Sequence, residues 1–258
     1  MPDSHVRVET ADHIATITLN RPSLGNAIDE RMAFELRDAC DQLVQDDDVW
    51  VVIVTGSGDA FCRGTEFAGA KGESQRSLLE SLSWLKVAGC FAAIDRPVIA
   101  ALNGEAIDQG LELALACDIR IASGDARFGL SQVKDALMPW DGGTQRLPRL
   151  VGRGPGVEMI LTCRTVDAEE ALAMGLVAQV VEPGQVLRRA QEMASTIAAN
   201  GPVAARYLKE AVVKGMDMTL DQGLRLEADL NVILQSTADR AEGIRSFLER
   251  RAPRFRGK

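Results

Sequence analysis

Pro97-Val-Ile-Ala-Ala-Leu102-Asn-Gly104 leads through Glu105-Ala-Ile-Asp-Gln109 into Gly110-Leu-Glu-Leu-Ala-Leu-Ala-Cys117 and then Asp118-Ile-Arg-Ile-Ala122. The first run is continuously apolar, short, and stopped by Asn-Gly, which predicts a buried strand and turn. The second is apolar on every side apart from Glu112, which predicts a buried helix. The third predicts another short strand. A strand, a helix and a strand in this succession argue for an α/β fold with parallel pairing. Upstream, Trp50-Val-Val-Ile-Val-Thr55 repeats the first pattern and closes at Gly56-Ser-Gly-Asp59, and His13 to Leu19 alternates like a half-buried strand. Asp29 to Gln45 predicts a helix with Met32, Leu36, Ala39, Leu43 and Val44 on its inward stripe. Downstream of Gly142 the chain turns helical. Asp167 and Glu170 suit a capped helix through Met174, and Val186 to Asn200, Pro202 to Lys214, Met218 to Gln235 and Ala238 to Arg251 read as helices. Residues 1–200 form the expected core and residues 201–258 a helical region that docks on the core or on another subunit.

With 46% hydrophobic and 26% charged residues in 258, the chain has globular composition and is long enough for a sizeable core. A net charge of -8 argues against nucleic acid or an anionic membrane as the partner. The N-terminal stretch carries Asp3, Arg7, Glu9 and Asp12, so it lacks the apolar segment of a signal peptide, and no apolar run is long enough to span a bilayer. Five scattered cysteines without a CxxC read as reduced thiols, and a cytoplasmic protein is expected. The only histidines, His5 and His13, both lie near the N-terminus, which argues against a histidine triad or a histidine-rich metal site.

Glu112 is the first candidate for chemistry. A carboxylate in an all-apolar helix either costs several kcal/mol unpaired or holds its proton to a raised pKa. Such a group suits proton transfer, and the alternative is a buried glutamate satisfied by backbone or arginine. The helix start ahead of it offers free N–H groups where negative charge is favoured. The loop Thr55-Gly-Ser-Gly-Asp-Ala-Phe-Cys-Arg-Gly-Thr-Glu-Phe67 has a Gly-x-Gly, but Phe61 stands where a dinucleotide loop needs its last glycine. Neither Cys62 nor Ser57 sits in a nucleophile context.

Those two loops resemble the signature segments of the crotonase (enoyl-CoA hydratase/isomerase) superfamily. Phe128-Gly129, Gly142-Gly-Thr-Gln-Arg-Leu-Pro-Arg-Leu-Val-Gly152, Ala168 to Val181 and Glu242 to Arg251 extend the likeness. It runs from about Ile14 to the C-terminus, and on these motifs together the chain is identified as a member.

The resemblance implies a spiral of ββα units with a C-terminal helical trimerisation region, assembling as a homotrimer or dimer of trimers. It implies an acyl-CoA substrate, with no metal and no cofactor beyond the CoA thioester itself. The thioester oxygen would lie in an oxyanion hole between the backbone N–H groups of Thr65 and Gln109, the latter preceding Gly110, where enolate charge is stabilised. Gln109 replaces the usual glycine and adds a polar amide beside the acyl chain. Glu112 matches the first catalytic glutamate of the hydratases, while the second position holds Gln132, which can orient water but cannot exchange protons. Asp141 brings a carboxylate where hydratases carry a small residue; it is either a second proton carrier or the N-cap of a helix starting at Gly142. Asn26, Ala27, Ile28, Glu66 and Phe67 match CoA-lining positions, and Phe247 and Arg250 match residues reaching the nucleotide from a neighbouring subunit. Hydration or dehydration of an enoyl-CoA in fatty or aromatic acid metabolism is the first expectation. Double-bond isomerisation is second and C–C bond hydrolysis third, with a catalytically silent acyl-CoA-binding protein as the reading from a different class.

Overall fold

The computed structural model describes residues 4–66 and 83–258, so Phe67 lies outside the described residues. Strands β1 (Val6–Ala11) and β2 (Ile14–Leu19) form an antiparallel hairpin, followed by α1 (Glu30–Gln45). The Asp29 carboxylate accepts from the Met32 N–H at 2.7 Å, so Asp29 caps α1 rather than starting it. On that helix Ala33 and Cys40 are also buried and Val44 is 42% exposed, so the expected stripe gains two residues and loses one.

Next come β3 (Val51–Gly56), β4 (Ala60–Cys62), α2 (Ala88–Ala93), β5 (Val98–Leu102), β6 (Glu105–Ile107), α3 (Gln109–Ala116), β7 (Ile119–Ser123) and β8 (Arg127–Gly129). One 3₁₀ turn (Gln132–Asp135) leads to α4 (Gly143–Val151) and α5 (Arg153–Thr162). The remainder is β9 (Val166–Asp167), α6 (Ala168–Ala173), β10 (Gln179–Val181), α7 (Val186–Ala198), α8 (Pro202–Gly215), α9 (Leu220–Gln235) and α10 (Ala238–Glu249). Strands alternate between two sheets. The larger has the order β1-β2-β3-β5-β7-β10 and is parallel from β2 onward; the smaller has the order β4-β6-β8-β9. Strands β3, β5 and β7 of the first sheet are each followed by a short strand of the second, β4, β6 and β8; β6 leads directly into α3, and β8 through the 3₁₀ turn into α4, which is the expected ββα repeat.

The central strands read as unbroken apolar runs because both faces are covered. Val52, Val54, Val98, Ala100 and Leu102 face the main core with α1, α2 and α3. Val51, Ile53, Ile99, Ala101 and Ile121 face the other way, against Val186, Ala190 and Ala194 of α7. Helix α8 is tied to the sheet by Lys209, whose Nζ lies 2.7 Å from the Asp118 carboxylate and donates to the Arg96 carbonyl at 2.9 Å. Thr219 and Gln222 form a capping box, so α9 begins at Leu220 and not at Met218. Helices α8 and α9 pack on each other yet leave Leu208, Val212, Met216, Leu220, Leu224 and Val232 exposed.

Candidate active site

Helix α3 is buried along its whole length, and its position depends on glycine. A Cβ on Gly110 would lie 2.1 Å from the Cys62 carbonyl oxygen, so only glycine lets the helix start this close to β4. Asp108, just before it, has φ 50°, an uncommon value for a non-glycine residue. Its carboxylate holds that conformation by accepting from the Ser131 N–H and lying 2.9 Å from the Ser131 hydroxyl. At the other end the buried Arg120 guanidinium donates to the carbonyls of Ala114, Cys117 and Leu176. A cation thus sits at the C-terminal end of the helix, where its carbonyls favour positive charge.

This frame carries Glu112, which is 0% exposed. One oxygen, Oε1, accepts from the backbone N–H of Asp141 at 2.8 Å and of Gly143 at 2.7 Å. The other, Oε2, faces Gln132, whose Nε2 lies 3.3 Å away. Burial raises the Glu112 carboxyl from its ordinary 4.5 to about 7, against the lowering effect of those two N–H groups, with the charges of Asp141 and Asp108 adding to the rise. The two readings of Glu112 therefore meet in one residue: backbone holds one oxygen with two donors, and the other meets a single amide donor at 3.3 Å. Gln132 is itself buried, and its Oε1 has no hydrogen-bond partner among the described residues. An orphaned buried amide oxygen marks a place where a water or a ligand hydroxyl belongs.

Asp141 does not cap the following helix. That helix starts at Gly143 with Gly142 at the cap, φ 112° and no side-chain bond, which corrects the capping alternative. Instead the Asp141 side chain turns across the fold. Its Oδ2 accepts from the N–H groups of Val87 at 2.8 Å and Ala88 at 3.0 Å and from Gln109 Nε2 at 3.1 Å, while Oδ1 accepts no hydrogen bond among the described residues. Gln109, also 0% exposed, gives its second amide hydrogen to the Leu85 carbonyl and accepts from the Thr65 hydroxyl at 2.6 Å. The backbone N–H groups of Thr65 and Gln109 donate to no partner among the described residues: Thr65 is passed over because the bridge to Ile28 uses its neighbours Gly64 and Glu66. Glu112, Gln132, Asp141, Gln109, Gly110 and Thr65 are therefore brought together, linked by contacts between side chains or neighbouring backbone.

The CoA-lining candidates divide. Ile28 bonds with both neighbours of Thr65 and so adjoins the site. The Asn26 amide is spent on the carbonyls of Ser57 and Ala60 and the N–H of Arg21, holding loops together, while the carbonyl of Ala27 accepts from Arg21. Glu66 pairs with Arg21. Phe247 is 82% exposed and Arg250 terminates α10, so neither faces Glu112 within one chain. The Gly56–Gly58 turn feeds β4, not a helix N-terminus, which removes any dinucleotide reading. Sequence reasoning missed the anchoring N–H groups of Val87 and Ala88, the Asp108–Ser131 pair and the Arg120 clamp. A polar Gln109 inside an apolar stretch was the one available signal for the amide bridge.

The enoyl-CoA hydratase/isomerase family model matches residues 9–258. The chain is 39% identical to the (E)-benzylidenesuccinyl-CoA hydratase of Thauera aromatica over 98% of this chain and 99% of that protein. It is 37% identical to the crotonyl-CoA hydratase of Syntrophomonas wolfei, over 99% of each. Among solved structures, the enoyl-CoA hydratase of Bacillus anthracis superposes with a TM-score of 0.94 at 37% identity, covering 98% of this chain and 100% of the other. The spiral of ββα units is thus a crotonase fold, and the chain belongs to the enoyl-CoA hydratase/isomerase family.

Proposed function

We propose that this enzyme adds water to the double bond of an enoyl-CoA, and removes it in reverse, with Glu112 as the proton carrier. The thioester oxygen accepts from the N–H groups of Thr65 and Gln109. A water sits between Glu112 Oε2 and the unpartnered Gln132 Oε1. Its oxygen attacks Cβ, its proton passes to Glu112, and the displaced π electrons move onto the thioester oxygen as an enolate. Collapse of the enolate takes a proton at Cα from Glu112, because Gln132 has none to exchange. The observation that carries this reading is the split environment of one carboxylate: Oε1 held by two backbone N–H groups, Oε2 met only by the Gln132 amide nitrogen at 3.3 Å, beside that amide's unpartnered Oε1. A pKa near 7 lets the same group accept and return a proton at neutral pH. Asp141 is the second candidate carrier, through Oδ1 alone, since Oδ2 is taken by three donors.

The CoA moiety runs past Asn26, Ala27, Ile28 and Glu66. Phe247 and Arg250 come to it from a neighbouring subunit of a trimer that also covers the apolar residues of α8 and α9. Five free thiols, and no helix among the described residues long and apolar enough to cross a membrane, suit a cytoplasmic enzyme that takes no metal or additional cofactor. The replacement of a carboxylate by Gln132 favours one second reading, a double-bond shift, which needs a single proton shuttle.

Incubation with crotonyl-CoA, (E)-benzylidenesuccinyl-CoA, a 3-enoyl-CoA and a cyclic β-ketoacyl-CoA, with products separated by chromatography and weighed by mass spectrometry, separates these outcomes. Gain of one water supports hydration. Interconversion of 2- and 3-enoyl thioesters at constant mass establishes the isomerase instead. Cleavage of a cyclic β-ketoacyl-CoA marks a C–C hydrolase, and binding without turnover of any thioester overturns the enzymatic reading.

A further inference from the structure

We infer that the Gln109 side chain is a positioning residue that fixes the spacing of the two oxyanion donors by gripping the side chain of one while its own backbone supplies the other. The inference rests on the assignment of the Thr65 and Gln109 N–H groups to the thioester oxygen. The two residues stand 44 apart in sequence, on the segment after β4 and at the first turn of α3, and the Thr65 hydroxyl meets Gln109 Oε1 at 2.6 Å. The grip does not depend on that bond alone. One hydrogen of Nε2 goes to the Leu85 carbonyl and the other to Asp141 Oδ2 at 3.1 Å, so the amide has no freedom to turn over without exchanging donor for acceptor at three sites. It is wholly enclosed, so no water competes for these partners. Backbone contacts hold Thr65 less firmly from the other side: its neighbours bond with Ile28, but its own N–H and carbonyl take no part in that bridge. The side-chain bridge is thus the direct link between the two donor residues.

Hydrogen bonds to an enolate oxygen strengthen as charge develops, so a loosened pair of donors weakens the transition state more than the bound thioester. Thr65→Val keeps shape and backbone N–H and removes the hydroxyl; Thr65→Ser keeps the hydroxyl. Gln109→Met keeps length and removes the amide. Thr65→Val and Gln109→Met are expected to lower kcat by roughly 10- to 100-fold, less than the 10²–10³ that deletion of a donor costs, with KM nearly constant. Thr65→Ser should stay within about twofold of wild type, and the double variant should fall no further than Gln109→Met alone, because that change already breaks the link that Thr65→Val removes.

A spectroscopic reading tests position apart from turnover. An arylacryloyl-CoA absorbs further to the red when its carbonyl is more strongly polarised, and the bound band should move back toward the free-ligand wavelength in Thr65→Val but not in Thr65→Ser. Equal kcat and an equal band position in Thr65→Val and wild type overturn the inference, whether or not Gln109→Met folds, and so do additive losses in the double variant. No red shift in wild type itself would instead remove the oxyanion assignment on which the inference rests.

Discussion

Replacing Glu112 by Gln should disable the enzyme and stabilise it, and the size of the second effect follows from the site. The carboxyl is enclosed and its pKa is raised from 4.5 to about 7. In the unfolded chain the group loses its proton near the ordinary value, whereas the folded protein retains it to higher pH. Stability from this group is therefore complete below about pH 4.5, declines as pH rises toward 7, and is absent above. The interval corresponds to about 3 kcal/mol per chain, at about 1.4 kcal/mol for each tenfold change in proton affinity. Gln at this position keeps an oxygen for the N–H groups of Asp141 and Gly143 and offers an amide hydrogen to Gln132, whose orphaned Oε1 gains a partner by rotation of its amide. Chemical denaturation of wild type and Glu112→Gln at equal protein concentration, at pH 5 and pH 8, should show the variant gaining up to about 3 kcal/mol relative to wild type on going to pH 8. Hydration should meanwhile fall by at least a few hundredfold. In wild type, kcat/KM for hydration should rise with pH through about 7 as the carboxylate form appears. Parallel pH dependence of stability in the two proteins would refute the argument, because Glu112 would then not be the group titrating in this window.

Asp141→Asn retains an oxygen for the donors on Val87, Ala88 and Gln109, so its fold and melting temperature should persist; a drop in turnover of a hundredfold or more identifies Oδ1 as a proton carrier, and near-wild-type turnover restricts Asp141 to holding the loop. Gln132→Leu removes the oxygen assigned to water, and steady-state kinetics should show hydration reduced about tenfold or more with KM for the thioester little changed. Gly110→Ala places a methyl 2.1 Å from the Cys62 carbonyl oxygen, so thermal unfolding should reveal a loss of roughly 1–3 kcal/mol or more together with loss of activity as α3 is pushed outward. Light scattering at micromolar concentration should give a trimer or a multiple of one, and a monomer would mean that the apolar residues of α8 and α9 stay open to solvent.

Burial and periodicity made the frame legible. An apolar stretch on all sides of Glu112 could only be an interior helix, and the β-branched runs of β3 and β5 announced strands covered on both faces. Strands of three residues such as β4, β6 and β8 were beyond that reach, since so short a segment shows no alternation to count. The inward stripe of α1 slipped from Cys40 to Val44 because both positions are apolar and only packing against α2 distinguishes them. For the site, motif positions located Glu112, Gln132, Asp141, Gln109 and Thr65. The direction of each side chain was not written there. Asp141 has a locally sufficient use as a cap, and nothing near it in sequence indicates that its donors lie on Val87 and Ala88, more than 50 residues earlier.

The bonds that hold Glu112 have a consequence for how such a protein diverges. Its fixed oxygen is held by main-chain N–H groups of residues 141 and 143, which every residue except proline supplies. The side chains at 132 and 141 can therefore mutate without releasing Glu112 from its place. A lineage can exchange a carboxylate for an amide at one of these positions, or install a carboxylate at the other, and sample new reactions on the same enolate while the helix beneath stays under unchanged constraint. Selection on chemistry and selection on folding act here on different atoms of the same residues.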